Sequence, residues 1–445
     1  MNGLPLIRGY GEATVLGYRE GRALRVDAFL RDVLRLAVAL PDRRHVLNLC
    51  ADRYRFAVGF AAALVRGQVS LLPPNQTPDT MERLALQYPE LYCLSEDSAL
   101  SSMMETLVFP ELPEEGSERP EIPLIPESHL AAVVFTSGST GQPVPHPKSW
   151  GRLVKGALTE HRRLGSFLAS GAAVLGTVPP QHMYGLESTV MLIMQCGLGL
   201  HAGRPFYPAD IRDHLESLPR PRVLVTTPVH LRVLLAEVDK LPVADLLICA
   251  TAPLSPQLAA EAERRFAAPL YEIYGCTEAG QIASRRIIDS GEWHALPGVV
   301  LRTDSEGTWV RGAHMDGETL LGDVIELLDE EHFLLHGRTA DLVNVAGKRT
   351  SLAYLNYHLN SIAGVQDGAF VVPANDDDGV PRLMAFVVAP KMAKDEIMSA
   401  LRRRIDAAFL PRPLCLVDAL RRNATGKLPR EAIEELMDGI TSEAG

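Results

Sequence analysis

From Arg25 to Gly275 short apolar runs alternate with amphipathic segments, and this alternation limits the possible folds more than any other feature of the chain. Residues 26–40, VDAFLRDVLRLAVAL, place apolar side chains every three or four positions and predict a helix. A strand over 45–50 (HVLNLC), a helix over 53–67 and a strand over 69–73 (VSLLP) follow. Further strands are predicted at 130–136, 172–178, 222–227, 246–250 and 269–275, with helical segments such as SPQLAAEAERRFA between the last four. Parallel strands need crossover connections, which helices supply. The expected fold is therefore α/β: a large N-terminal domain of parallel or mixed sheets covered by helices. After about residue 300 the pieces GVVLRTD, GTWVRG, DVIELLD and HFLLHG alternate in a strand-like way and predict a small antiparallel, barrel-like subdomain.

A chain of 445 residues exceeds one compact core and predicts two or three domains. The Pro- and Glu-rich stretch 109–128 reads as an exposed connection. Residues 337–350 lead into a last module, so the expected division is 1–338 for the N-terminal domain and 339–445 for a small, mobile α+β C-terminal domain. From Asp341 onward the net charge is −1, against −10 for the remainder, as separable bodies would show. The total of −11 argues against a nucleic-acid partner, which needs a basic face. None of the six cysteines (Cys50, Cys93, Cys196, Cys249, Cys276, Cys415) stands at CxxC spacing, so they read as thiols in a reducing compartment. No signal-peptide pattern opens the chain, and VMLIMQCGLGL (190–200) is too short to span a bilayer. A cytoplasmic location without membrane insertion is expected.

The segment Thr136-Ser137-Gly138-Ser139-Thr140-Gly141 follows a predicted strand, where α/β proteins bind ligands. Glycines let backbone N–H groups turn toward an anion, and the hydroxyls add donors. The segment lacks the GK[ST] ending of a Walker loop, and by itself it reads equally as a polar surface turn. Three other stretches bear on the choice: YEIYGCTEAG (271–280), LGDVIELLDEEHFLLHGRTADLVNVAGKR (321–349) and RRNATGKLPREAI (421–433). Singly, each has a plain reading. Tyr274 could be a core aromatic, Asp323 a turn former, Arg338 half of a surface ion pair and Lys427 a solvated turn lysine.

Together and in this order, the four stretches resemble the adenylate-forming superfamily: acyl- and aryl-CoA synthetases, adenylation domains of peptide synthetases, and luciferases. The resemblance covers essentially the whole chain. It implies ATP and Mg2+ as cofactors, a carboxylic acid as substrate, and coenzyme A or the phosphopantetheine of an acyl carrier protein as acceptor. On that resemblance Thr136 to Gly141 would hold the ATP phosphates and Tyr274 would lie along the adenine, beside Gly275 and Cys276. Thr277 would reach the phosphate, Glu278 would coordinate Mg2+, and Asp323 and Arg338 would place the ribose. Lys427 would bridge the acid and the α-phosphate, where a cation offsets the repulsion between carboxylate and polyphosphate. The C-terminal domain would then rotate and present VAGKR (345–349) for thioester formation. TVPPQHMYGLES (177–188) resembles the segment lining the acyl and thiol entrance, which assigns His182 a catalytic role and Tyr184 and Gly185 contacts to the acid. ATAPLS (250–255) resembles the stretch between acid and adenine, so Ala250, Thr251 and Ala252 would line both; Val229, Met183 and Cys276 complete the expected acid pocket.

The chain departs from that pattern in three places. Val144 stands where relatives carry a lysine, and Lys148, after QPVPHP, would supply the charge from a proline-braced turn; as a plain alternative, it is simply solvated. Ala340 and Asp341 occupy the hinge, and only about fifty residues separate Tyr274 from Asp323. With the PVPHPKSW variant, that brevity resembles the AMP-ligases of bacterial aryl-polyene and xanthomonadin-type pigment clusters, which load 4-hydroxybenzoate-type acids onto a carrier protein. Alternatives are a medium-chain fatty acid substrate and a non-catalytic member that only binds nucleotide or acyl-adenylate. The arginines Arg402, Arg403, Arg404, Arg412, Arg421 and Arg422 would dock a carrier protein or the phosphates of coenzyme A, or form a solvated face.

Overall fold

Two β-sheets with helices between and around them form the N-terminal part of the computed structural model, which describes residues 3–11, 15–97, 104–112, 120–137, 143–338, 342–345, 348–372, 383–423 and 428–443. The first sheet has six strands in the order Pro143–Ser149, Leu130–Ser137, Val69–Leu72, His45–Asn48, Leu91–Ser95, Thr106–Val108. The second has eleven. Its parallel part runs Val15–Arg19, Gly199–His201, Ala173–Gly176, Arg222–Thr226, Leu246–Cys249, Leu270–Cys276. The predicted strand–helix rhythm appears in these elements: the helix expected over 26–40 is Val26–Ala39, and the next is Arg53–Val65. The second helix buries Phe56, Val58, Phe60 and Ala61 on all sides, because it lies in the core shared by the two sheets. Asp52 caps its start by accepting the Arg55 N–H at 2.8 Å.

The late antiparallel pieces do not close into one barrel. Val300–Thr303, Thr308–Arg311 and Thr319–Leu320 form a separate three-stranded sheet. Asp323–Leu327 and His332–Arg338 instead extend the large sheet through Trp293–Ala295 and Gly280–Arg285. Aromatic packing explains the choice. Trp293 stacks on Phe333 at 6.5 Å and Tyr274 meets both rings, so the buried faces of strands Leu270–Cys276, Trp293–Ala295 and His332–Arg338 share one core.

A second correction concerns 143–149. The stretch PVPHPKS is not a turn but an edge strand, antiparallel to Leu130–Ser137 with Val144 opposite Thr136 and Lys148 opposite Ala132. Prolines at 143, 145 and 147 recur with the period of the strand and so leave one edge of the backbone without donors, which blocks further pairing.

The C-terminal part is α+β. A hairpin, Leu342–Val345 with Lys348–Ser351, precedes helix Leu352–Asn360 and the sheet Asp367–Val371, Met384–Val388, Leu414–Leu416. Leu355, Leu359, Phe370 and Leu401 belong to its own core. The expected division at 338/339 and the hinge residues Ala340 and Asp341 fall at or within 339–341, outside the described residues. No described helix is long and apolar enough to cross a membrane.

Candidate active site

Parallel strands end together, so Arg222–Thr226, Leu246–Cys249 and Leu270–Cys276 deliver their following turns to one edge of the large sheet. Two of those turns enter helices with a proline in the first turn and a hydroxyl cap: Thr227 accepts the His230 N–H and Ser255 the Leu258 N–H. Between them Thr251 adopts φ +84°, a left-handed conformation that costs a β-branched residue energy and is held by the packed turn.

A cavity of about 470 Å³ opens at this edge, within the range of small-ligand sites. Thr251, Ala252, Tyr274, Gly275 and Asp323 line it, so five residues singled out in the sequence meet there. Tyr274 donates its hydroxyl to Asp323 Oδ2 at 2.8 Å, which orients both. Five further wall residues were not visible in the sequence. Arg285 pairs with Glu272 at 2.7 Å and lies 4.2 Å over the Trp293 ring, while Tyr354 and Tyr357 come from the C-terminal part. Arg285 and Glu272 are cross-strand partners, a relation that no local pattern reports. Arg338 stands opposite Asp323 in the strand register; its side chain lies outside the described residues.

Ala252 and Pro253 also line a second, smaller cavity with Val229 and Arg232, closed by Asn356 and Asp367 of the C-terminal part. Asp367 joins the two parts: Arg232 approaches it at 3.4 Å and Arg422 at 2.8 Å. Arg422 is thus engaged inside the protein and does not belong to an open basic face, while Arg421 is exposed and pairs with Glu435 at 3.0 Å. Arg402, Arg403, Arg404 and Arg412 are exposed. Of the expected acid-pocket residues, Met183, Tyr184 and Ala250 are buried and His182 begins the short helix Met183–Leu186. Tyr184 donates to the carbonyls of Thr226 (3.2 Å) and Ile248 (3.0 Å) and fills the space between two strand ends. At Gly185 a Cβ would stand 1.9 Å from the Pro179 carbonyl oxygen, so close backbone packing requires the glycine.

The edge strand aims two side chains at the turn that follows Leu270–Cys276. Lys148 is buried, and its Nζ donates to the Glu278 carbonyl at 2.9 Å. His146 lies 3.0 Å from Thr136 Oγ1 and 3.7 Å from Glu278 Oε1. Strand alternation places His146 beside Lys148, a signal the sequence held once the stretch was known to be extended. Val144, where a lysine was expected, is exposed. Burial lowers the Lys148 pKa, opposed by the Glu187 carboxylate, and pushes the Cys276 thiol up to about 12 with help from Glu278. The Glu278 side chain is half exposed, and no cluster of three metal-ligating side chains forms among the described residues. A lone carboxylate of this kind suits Mg2+, which takes most of its ligands from phosphate oxygens and water. Gly138, Ser139, Thr140, Gly141 and Lys427 lie outside the described residues.

Behind this turn lies a polar network that the sequence did not announce. Glu160, fully buried, accepts from Ser188 Oγ at 2.9 Å and from Gln281 Nε2 at 2.9 Å. Burial raises its pKa from the usual 4.5 to about 7. The folded protein therefore holds a proton here that the unfolded chain has released between these values. Stability should fall as pH rises through that window, by about 3 kcal/mol for this group. Glu160→Gln is expected to remove that slope, so that denaturation midpoints measured from pH 5 to pH 8 decline less in the variant than in the wild type. Equal declines would show that another group titrates.

A family profile described as AMP-binding enzyme matches residues 30–306, and one described as AMP-binding enzyme C-terminal domain matches 359–427. A 4-coumarate–CoA ligase of Rhodobacter capsulatus is 29% identical over 287 residues, 64% of this chain and 71% of its own length. A 4-hydroxybenzoate–CoA/benzoate–CoA ligase of Rhodopseudomonas palustris is 25% identical over 355 residues, 68% of this chain and 64% of its own. In fold, an anthranilate CoA ligase in complex with anthranoyl-AMP superposes with a TM-score of 0.81 at 15% identity, covering 99% of both chains. The o-succinylbenzoate CoA synthetase of Bacillus subtilis with its acyl-adenylate gives 0.78 at 20% identity over 95% of each. With the nucleotide-sized cavity at the sheet edge and both family profiles in chain order, the chain belongs to the AMP-binding enzyme family and is an acid–thiol ligase.

Proposed function

We propose that this enzyme activates an aryl carboxylic acid of the 4-hydroxybenzoate type with ATP, releasing pyrophosphate, and passes the acyl group to a pantetheine thiol. The observation that carries this reading is the pair of cavities that share Ala252 and Pro253 as a wall, the larger holding the Tyr274–Asp323 hydrogen bond. In this reading Asp323 accepts from the ribose, Thr277 and the loop from Thr136 to Gly141 hold the phosphates, and Lys427 bridges acid and α-phosphate. Glu278 would hold Mg2+, which neutralises phosphate charge and aligns pyrophosphate as the leaving group. His182, Tyr184, Gly185 and Val229 border the acid. Tyr184 supports a short, flat substrate, because its hydroxyl closes the space between two strand ends where a long alkyl chain would need a tunnel. The relatives that act on coumarate and benzoate point the same way.

For the acceptor, the resemblance of PVPHPKSW and of the short 274–323 segment to the AMP-ligases of aryl-polyene and xanthomonadin-type clusters favours an acyl carrier protein, with coenzyme A as the competing thiol. Pyrophosphate exchange across benzoates, cinnamates and fatty acids tests the first half, and acyl transfer to each thiol tests the second. Exchange with aryl acids is the expected result. Exchange with fatty acids alone would replace the substrate class, and ATP binding without exchange would leave a nucleotide-binding protein.

A further inference from the structure

Thr277 and Glu278 sit on the turn between strands Leu270–Cys276 and Gly280–Arg285, and two buried side chains, Lys148 and Glu187, support that turn from its inner side. Lys148 donates to the Glu278 carbonyl at 2.9 Å. Glu187 meets the other limb of the turn at Gly280. Its carboxylate packs directly beneath Gly280, where a Cβ would stand 2.8 Å from Oε1. Gly280 has φ +80°, and at Gly156, on helix Trp150–Leu164, a Cβ would be 3.7 Å from the same oxygen. Gly280 thus leaves the space that this carboxylate occupies, while a side chain at Gly156 would only touch it.

Glu187 is also the first residue of a π-helical turn, Glu187–Met191, between Met183–Leu186 and Leu192–Cys196. Such turns are uncommon and gather at functional sites, because the widened turn re-aims a side chain. An ionised glutamate buried in this helical stretch, LESTVMLIM, costs several kcal/mol unless a donor and a cation meet it. Burial pushes the Glu187 carboxyl up to about 8, against the opposing field of Lys148. The exposed Val144 cannot provide such a charge.

We propose that Glu187 and Lys148 form a positioning pair that clamps the Thr277–Glu278 turn from its buried side, so that the Glu278 carboxylate faces the nucleotide phosphates and their cation. This rests on the adenylation reading above. Neither residue touches the reacting atoms; both act through the turn.

The test is pyrophosphate exchange by the full chain with Mg2+ varied, for Glu187→Gln, Lys148→Met, Lys148→Arg and the Glu187→Gln/Lys148→Met double variant. Glutamine keeps the volume and a carbonyl oxygen at the same place, so thermal denaturation should show a folded protein. Each of Glu187→Gln and Lys148→Met is expected to lower the exchange kcat about tenfold. Each should raise the Mg2+ needed for half-maximal rate several-fold and leave the KM for the acid within about twofold. The double variant should be no worse than Lys148→Met, because coupled residues do not add, and Lys148→Arg should recover most of the rate. An unchanged kcat and Mg2+ requirement in Glu187→Gln, or losses that multiply in the double variant, would overturn the proposal. If the wild type exchanges no pyrophosphate with any acid, the adenylation reading is what fails. Calorimetry of ATP binding with and without Mg2+ then decides the clamp: weaker Mg2+-dependent binding in the variants supports it, and unaltered binding overturns it.

Discussion

Lys427→Ala is expected to lower acid-dependent pyrophosphate exchange by about two to three orders of magnitude while ATP still binds. A carboxylate approaching the α-phosphate meets like charge, and an ammonium that bridges the two removes most of that repulsion in the transition state. Lys148 cannot replace it there, because it is buried and committed to the Glu278 carbonyl. Transfer from a supplied acyl-adenylate to the thiol should survive in the variant, since in the proposed cycle the lysine withdraws before that step. Single-turnover measurement of the two halves separates these effects. Equal losses in both would assign Lys427 to the fold of the C-terminal part instead of to adenylation.

Asp323→Ala is expected to raise the KM for ATP by about 10- to 100-fold, the range for a hydrogen bond to a charged group, with kcat and the KM for the acid little changed. Two effects add in that variant. The ribose loses its acceptor, and the Tyr274 hydroxyl, now 2.8 Å from Asp323 Oδ2, loses its partner beside the cavity. Tyr274→Phe removes only the second and should cost less, because the ring stays packed against Trp293 and Phe333. A fall in kcat without a change in the KM for ATP in Asp323→Ala would place the carboxylate nearer the chemistry than the ribose.

The stretch 143–149 shows where one-dimensional reading stops. Its three prolines read locally as a turn, since proline interrupts regular structure. An edge strand tolerates proline at every second residue, however, because those N–H groups face no partner. Whether a strand lies at an edge is a property of the sheet, so the exposure of Val144, the placement of His146 and the reach of Lys148 to Glu278 followed only from pairing with Leu130–Ser137. The same holds for Asp323–Leu327, whose alternation identifies a strand but not the sheet it joins.

What could be read along the chain was the layered α/β core and the residues at its strand ends. Helix and strand leave different periods in the sequence, and ligand-binding turns sit directly after the strands that aim them. Tyr274, Gly275, Thr251, Ala252 and Asp323 were legible through the motifs that resemble the adenylate-forming superfamily, and they meet in one cavity. Tertiary structure alone decided the supports around them: the Arg285–Glu272 pair over Trp293, the tyrosines brought in by helix Leu352–Asn360, and the Glu187–Lys148 clamp beneath the turn. Lys148 and Glu278 lie 130 positions apart in sequence, and a buried charge reveals its purpose only when the fold brings its partner to it.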